Sequence, residues 1–198
     1  MTAPPEQWLE APELVGDHVT IVPLETYHAA GLLEAASDES IFRWMRFARP
    51  KTIEEAEELI TSFVERPGVA WAMIDERTDS VAGFTTFYDI DPVNRTVAIG
   101  STLIGARYQR TGINTEAKLL LLTYAFEVLG AVRVVWHVDI YNTPSKIAVE
   151  RIGGQREGVL RKHVMRLDGS WRDTVVFSML DDEWPHQRVM IMKALRPL

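Results

Sequence analysis

The sequence contains no cysteine among its 198 residues. This absence excludes a disulfide framework, a zinc site with thiolate ligands and a cysteine nucleophile. Any covalent catalysis would need a different nucleophile. The histidines are few and scattered, so we expect no metal site.

Long apolar runs and an excess of positive charge are also missing. No run approaches the ~18 apolar residues of a membrane span, and the N-terminus lacks the pattern of a signal peptide, so we expect a cytoplasmic protein without membrane contact. Lys and Arg number 21 against 28 Asp and Glu, which gives a formal net charge of −7. A nucleic-acid backbone would be repelled, and we expect no nucleic-acid partner.

The composition is that of an ordinary globular protein, with 46% hydrophobic and 25% charged residues. No internal repeat, low-complexity tract or linker divides the chain. We therefore expect a single domain over residues 15–182, preceded by an N-terminal extension at 1–14 and followed by a C-terminal helix at 183–198.

Local patterns predict a mixed α/β chain. Pro23 lies in the first predicted strand and favours an edge position for it. The predicted strands cover 18–24, 69–74, 81–88, 96–104, 133–139, 157–165 and 171–180, and the predicted helices cover 27–36, 53–65, 115–129 and 143–152.

The most informative unit is the strand, long helix and strand between residues 96 and 139. A connection of this length predicts two parallel strands, since antiparallel neighbours need only a tight turn. Ligands of open α/β sheets bind beyond the carboxyl ends of such strands. We therefore expect the segments 105–114 and 139–145 to face one crevice.

The first of these segments leads into a helix N-terminus, where free backbone amides favour a phosphate. Arg107 and Arg110 add positive charge, and Gly112 allows a close approach of the backbone. The alternative is a polar loop that only caps the helix. In the second segment, Asn142 and Ser145 could contact a ligand, or could equally cap the next helix.

Residues 108–184 resemble the second half of a GNAT-superfamily N-acetyltransferase, most closely the branch of ribosomal-protein N-terminal acetyltransferases (Rim type). The loop at 109–114, the helix that contains Glu116-Ala117-Lys118, and the turn from Asn142 to Ser145 carry the resemblance, together with Glu157-Gly158 and Arg172-Asp173. It implies an α/β fold with a mixed, mostly antiparallel sheet and a central parallel βαβ unit that splays to hold coenzyme A.

The resemblance also implies how acetyl-CoA is held. Gln109, Gly112 and Asn114 occupy the three named places of the family's pyrophosphate loop, although Asn114 stands where a small residue is usual. Leu103 and Ile104 would pair with the pantetheine arm, and a backbone amide near Leu103 would polarise the thioester carbonyl. The backbone amides of five residues would hold the pyrophosphate: Arg110, Thr111, Gly112, Ile113 and Asn114.

Two catalytic residues follow from the same resemblance. Asn142 would lie near the pantetheine and acetyl end, and Ser145 would protonate the departing thiolate. Ala98 and Val164 occupy the positions where the resemblance implies a glutamate that acts as the general base. His163 is next to Val164, but strand alternation predicts that its side chain points to the opposite face.

The acceptor site is expected beside the aromatic and basic segment 41–49, with Trp44, Arg46 and Asp139 as binding residues. If this segment lines the site, Arg43, Arg46 and Arg49 would favour acidic acceptors. We expect direct transfer of acetyl from acetyl-CoA to a primary amine in a ternary complex, with a protein or peptide N-terminus as the favoured acceptor. The alternatives are a small-molecule amine acyltransferase and a CoA-binding sensor with little activity. The family, and the apolar stretch Val189–Met192, make a homodimer plausible.

Overall fold

The computed structural model describes residues 3–195 and contains one eight-stranded sheet with the strand order β1-β2-β3-β4-β5-β6-β8-β7. Within this range no helix is long and apolar enough to cross a membrane. The strands are β1 (Leu14–Val15), β2 (Val19–Pro23), β3 (Val69–Asp75), β4 (Ser80–Asp91), β5 (Thr96–Ile104), β6 (Arg133–Asp139), β7 (Gln155–Met165) and β8 (Trp171–Leu180). The helices are α1 (Ala29–Ala35), α2 (Ile53–Val64), α3 (Ile113–Thr123), α4 (Thr143–Arg151) and α5 (Trp184–Leu195).

The strand pairing confirms the predicted fold class. Every neighbouring pair of strands is antiparallel except β5 and β6, which are parallel and are connected through α3. These two strands pair only at Thr96–Arg133, Val97–Val134 and Ala98–Val135. Beyond these three pairs they separate, so the centre of the sheet splits into a fork at its carboxyl edge.

Two apolar clusters cover the two faces of the sheet. On β3, Trp71 and Met73 belong to the cluster that includes α3, whereas Ala70 and Ala72 belong to the cluster that includes α1 and α2. On β6, Val134, Trp136 and Val138 belong to the α3 cluster. Alternation along β6 therefore turns the side chains of its other residues, among them His137, to the opposite face.

Three details differ from the sequence-based expectations. Strand β2 is not at the edge of the sheet, because the two-residue strand β1 pairs with it, and Pro23 ends β2 instead. Helix α3 begins at Ile113, two residues before the predicted start, and its C-terminal end continues as one π-helical turn at Tyr124–Val128. The terminal helix begins at Trp184, later than the expected start near 182.

The terminal segments pack on the main core. Trp8 is buried, and the Tyr124 hydroxyl donates a hydrogen bond to the Gln7 carbonyl at 3.1 Å. On α5, Trp184 and Ile191 are buried, while three apolar side chains of the same helix are exposed: Val189, Met190 and Met192. The division into extension, domain and terminal helix stays a prediction.

Glu116 joins the start of α3 to the first hairpin. Its buried carboxylate accepts hydrogen bonds from the backbone N–H groups of Asp17, His18 and Val19 at 3.0, 2.6 and 2.9 Å. Because Glu116 lies one turn after Gly112, this contact also fixes the loop that precedes α3. Without the carboxylate, three backbone donors would lose their partner.

We predict that Glu116→Ala lowers the free energy of unfolding by about 3 kcal/mol, because it leaves these donors unpaired. The free energy of unfolding of Glu116→Gln should lie between those of the wild type and Glu116→Ala, because the amide keeps one acceptor oxygen. Urea unfolding measures the effect, and Glu58→Ala on the exposed face of α2 is the control. A Glu116→Ala variant as stable as this control would contradict the role given to the carboxylate.

Candidate active site

The fork between β5 and β6 opens into a cleft of about 1410 Å³ that passes through the sheet. One side of the cleft is formed by the loop before α3 and by the start of α4. The other side is formed by residues of segment 41–47 and by the face of β6, β7 and β8 that is opposite to α3. The two predicted segments, 105–114 and 139–145, therefore do meet at one crevice.

The loop before α3 presents a row of free donors. Arg110 and Gly112 both have positive φ, at 62° and 96°, and Gly112 is the residue that precedes the helix. Within residues 3–195 no acceptor pairs with the backbone N–H groups of residues 110–114. Five free amides at the positive end of a helix dipole favour an anion such as a pyrophosphate.

The residues of this loop divide into two groups. Gln109, Arg110, Gly112 and Asn114 line the cleft. Thr111 and Ile113 do not: the Thr111 hydroxyl donates to the Tyr108 carbonyl at 2.6 Å, and Ile113 is buried in the core. Of these two residues, only the backbone amide remains available to a ligand.

The basic residues near the loop also differ in their availability. Arg107 is paired with Glu34 at 2.7 Å and donates to the Tyr108 hydroxyl, so its charge is already partnered. Arg151 of α4 lines the cleft and donates to Thr115 of α3 at 3.2 Å. Arg110 and Arg151, not Arg107, carry positive charge at the mouth of the cleft.

Strand β5 places Ile104, but not Leu103, at the cleft. The Leu103 carbonyl lies against Gly83 of β4, and the Leu103 side chain is buried. Because backbone groups alternate along a strand, the polar groups of Thr102 and Ile104 face the fork instead. Both of these residues line the cleft, and Gln109 Nε2 lies 3.4 Å from the Ile104 carbonyl oxygen. The structure thus indicates Thr102 and Ile104 as the backbone partners of a ligand.

At the start of α4, Asn142 has both of the roles considered for it. Its Oδ1 accepts a hydrogen bond from the Ser145 backbone N–H at 3.1 Å, which caps the helix. Asn142 and Ser145 also line the cleft. No partner within residues 3–195 pairs with Asn142 Nδ2 or Ser145 Oγ, so both groups can donate to a ligand.

Of the residues predicted to bind the acceptor, Trp44 and Arg46 line the cleft, whereas Arg43 and Arg49 do not. The three arginines therefore do not form one basic wall. Arg43 lies over the Trp44 ring at 5.0 Å. Arg66, just after α2, and Arg172, on β8, also line the cleft, and the sequence analysis had predicted neither as an acceptor contact.

Asp139 lines the cleft, but both of its carboxylate oxygens are occupied. Arg166 Nε donates to Oδ2 at 2.8 Å, Arg166 Nη2 donates to Oδ1 at 3.1 Å, and the Tyr141 N–H also donates to Oδ1. Burial opposes ionisation, yet these hydrogen bonds hold the pKa of Asp139 below its ordinary value. Asp139 is therefore ionised, and it holds the β7–β8 turn at the edge of the site.

His163 faces the cleft, contrary to the prediction from strand alternation. Lys162 has a φ of 48°, and three residues of β7 stand opposite one residue of β8 between the pairs Leu160–Thr174 and Val164–Arg172. Such a bulge breaks the two-residue alternation. As a result His163 and Val164 both line the cleft.

Comparison with known proteins then decides the family. The acetyltransferase (GNAT) domain model matches residues 18–155. A Bacillus subtilis (strain 168) protein named "Putative ribosomal N-acetyltransferase YdaF" is 30% identical over 182 residues, which cover 88% of this chain and 97% of that protein. The crystal structure of a GCN5-related N-acetyltransferase from Brucella melitensis has a TM-score of 0.92 at 34% identity, and the match covers 96% of this chain and 88% of that chain. The chain belongs to the GNAT acetyltransferase family.

A GNAT acetyltransferase is an acyltransferase, and this family uses acetyl-CoA as its donor. The cleft fits that donor. The free amides at 110–114 suit the pyrophosphate, and three buried polar atoms of cleft residues lack a partner in the described part of the chain: Trp136 Nε1, Asn114 Oδ1 and Arg172 Nε. Trp136 Nε1 is a donor and Asn114 Oδ1 an acceptor, and the amides of a pantetheine arm require one of each. Among residues 3–195, no group of three His, Asp or Glu side chains could hold a metal ion.

The GNAT cleft also contains a buried amine that sequence reasoning missed. Lys118 Nζ, on α3, donates to Thr85 Oγ1 at 3.1 Å and to Thr102 Oγ1 at 2.8 Å, and these two hydroxyls are 2.8 Å apart. No carboxylate of residues 3–195 accompanies it, and burial lowers the pKa of Lys118 to about 7. Lys118 therefore fixes the side chain of Thr102 at the point where β5 faces the fork.

We predict that Lys118→Met raises the free energy of unfolding at pH 6.5 by about 1 kcal/mol or more. Below pH 7 the folded and unfolded states are both protonated, so the cost of the buried charge is fully present. Between pH 7 and 10.5 the unfolded state binds more protons, and stability rises with pH. The variant should lose this rise because methionine does not titrate. Thr85 and Thr102 can still bond to each other.

Urea unfolding at pH 6.5, 8 and 9.5 measures both effects. Lys193→Met, on the exposed face of α5, is the matched control. A Lys118→Met variant that is less stable than wild type at pH 6.5, with an unchanged pH dependence, would show that Lys118 is not a buried amine with a lowered pKa.

Proposed function

We propose that this protein transfers an acetyl group from acetyl-CoA directly to a primary amine within a ternary complex, and that the favoured acceptor is the N-terminus of a protein or peptide. The observation that carries the proposal is the fork between β5 and β6, which opens beside five unpaired backbone amides at the start of α3. Donor and acceptor can therefore enter the same cleft from opposite faces of the sheet.

Direct transfer is supported by the groups that the cleft offers. The chain has no cysteine, and Asp139, the carboxylate nearest the start of α4, is occupied by Arg166. Ser145 Oγ is a hydroxyl without a partner among residues 3–195 in the first turn of α4, where it can protonate a leaving thiolate. Asn142 Nδ2 can donate to the acyl or pantetheine end, and the backbone N–H of Thr102 can polarise the thioester carbonyl.

An N-terminal acceptor is supported by chemistry and by similarity. A free α-amino group has a pKa of about 7.7 to 8.0, against about 10.4 for lysine, so its neutral form is accessible at pH 7 with a modest base. The name of YdaF, which this chain matches over 97% of that protein, describes a ribosomal N-acetyltransferase. We infer the same class of acceptor for this chain.

A small-molecule amine is the second candidate. Arg46 and Arg172 both line the acceptor side, and they would favour an amine that carries a carboxylate, such as an amino acid. A cytoplasmic location, a homodimer and the absence of nucleic-acid and membrane partners stay predictions. The exposed apolar face of α5 is the surface that would support a homodimer.

We predict that the purified protein acetylates a peptide with a free N-terminus and not the same peptide with a blocked N-terminus and an internal lysine. Mass spectrometry of the products, combined with thiol release, measures the transfer. Free amino acids and polyamines form the competing set. Turnover of this set, with none on the peptides, would assign the small-molecule function, and acetyl-CoA binding without any turnover would assign a sensor.

We predict that Ser145→Ala lowers kcat about 100-fold and leaves the KM for acetyl-CoA within a factor of about three, because the hydroxyl acts on the leaving thiolate. Ser37→Ala, which removes an exposed hydroxyl away from the cleft, is the control. An unchanged kcat in Ser145→Ala would remove the serine from the proton transfer.

A further inference from the structure

Three side chains with exchangeable protons form a cluster across the base of the fork. The Tyr88 hydroxyl, on β4, is 2.9 Å from His137 Nδ1 on β6. The rings of His137 and His163 are 5.7 Å apart, and His163 Nδ1 is 3.1 Å from Thr174 Oγ1 on β8. Tyr88, His137 and His163 all line the cleft.

The sheet geometry brings this cluster to the point where the donor and the acceptor must meet. Tyr88 packs on Gly100, where an added Cβ would lie 2.6 Å from the tyrosine ring. Gly100 is two residues beyond the last pair between β5 and β6, and two residues before Thr102. His137 lies on the face of β6 that is opposite to α3. The cluster thus approaches the fork from the acceptor side.

With one exception, the carboxylates near the cleft are held by hydrogen bonds and are not free to act as a general base. Asp139 is held by Arg166, and Glu116 by three backbone N–H groups. Ala98 and Val164, the positions where the family resemblance implies a glutamate base, have no carboxylate. Asp89 is the exception: it is exposed and lines the cleft beside Tyr88.

We propose that His137 is the general base that removes the proton from the acceptor ammonium, and that Tyr88 and His163 are positioning residues for its ring. The proposal rests on the proposed function, since it requires an amine acceptor in the cleft. In the reactive tautomer, His137 Nδ1–H donates to the Tyr88 oxygen, which leaves the Nε2 lone pair for the proton.

The charges around His137 support a neutral ring at pH 7. Burial is the main cause that lowers the pKa of His137. Asp89 on β4 opposes this effect, while three other groups add to it: His163 on β7, Arg172 on β8 and Arg133 on β6. Burial also raises the pKa of the Tyr88 phenol, so Tyr88 keeps its proton and can serve as the hydrogen-bond partner of either imidazole tautomer.

The reaction then balances without a co-reactant. The ammonium gives one proton to His137 Nε2, and the nitrogen lone pair forms the C–N bond at the thioester carbon. The C–S bond breaks, and the thiolate receives a proton from Ser145. The second proton of the attacking nitrogen leaves as the amide forms and restores the serine hydroxyl, directly or through water. His137 finally releases its proton to solvent.

The test is the pH dependence of kcat/KM from pH 5.5 to 9.5 with a peptide that has a free N-terminus. In His137→Gln we expect a loss of about 100-fold at pH 7, a recovery as the pH passes the pKa of the peptide amine, and an unchanged KM for acetyl-CoA. Tyr88→Phe and His163→Gln should shift the acidic limb of the profile with smaller losses. His186→Gln, exposed on α5, is the matched control.

Acetyl-CoA binding by each variant shows that it is folded. A His137→Gln variant that binds acetyl-CoA and keeps the wild-type profile would overturn the assignment, and a loss confined to Asp89→Asn would give the base to Asp89 instead. Wild-type protein that acetylates no amine would overturn the proposed function itself, so the two failures are distinguishable.

Discussion

The site depends on how briefly β5 and β6 pair. Three parallel pairs are enough to hold the two halves of the sheet together, and the separation beyond them exposes backbone groups that a continuous ladder would use. Helix α3, which connects the two strands, begins beside this opening, so its unpaired amides point toward the same space. The Glu116 carboxylate and the Lys118 amine then fix α3 against the hairpin on one side and against β5 on the other.

The interior of the cleft contains polar groups that would be costly in an ordinary core. Within residues 3–195, Lys118 is buried without a counter-ion, and Trp136 Nε1, Asn114 Oδ1 and Arg172 Nε have no partner. Such groups lower stability unless a ligand pairs with them. The amides of a pantetheine arm would pair with Trp136 Nε1 and Asn114 Oδ1. On the face of β6 opposite to α3, titratable side chains instead bond to one another, as Tyr88 and His137 do.

The sequence predicted the parts of the fold that depend on periodicity and chain connectivity. The length of the helix between residues 104 and 133 predicts a parallel crossover, and the rule that ligands bind beyond the carboxyl ends of parallel strands located the crevice. The sequence could not predict features that depend on single backbone angles. The positive φ of Lys162 turns His163 toward the cleft, and the irregular pairing of β5 with β4 turns Leu103 away from it. Lys118 was missed because a lysine on a helix is usually exposed.

The most direct test of the central claim is thermal unfolding of the purified protein with acetyl-CoA, free CoA, ATP and NAD at matched concentrations. A ligand that binds only the native state at 100 times its Kd stabilises it by about 2.7 kcal/mol. We predict a clear rise in Tm with acetyl-CoA and CoA, and none of that size with ATP or NAD. An unchanged Tm with both CoA species would contradict the assignment of the fork as an acyl-CoA site.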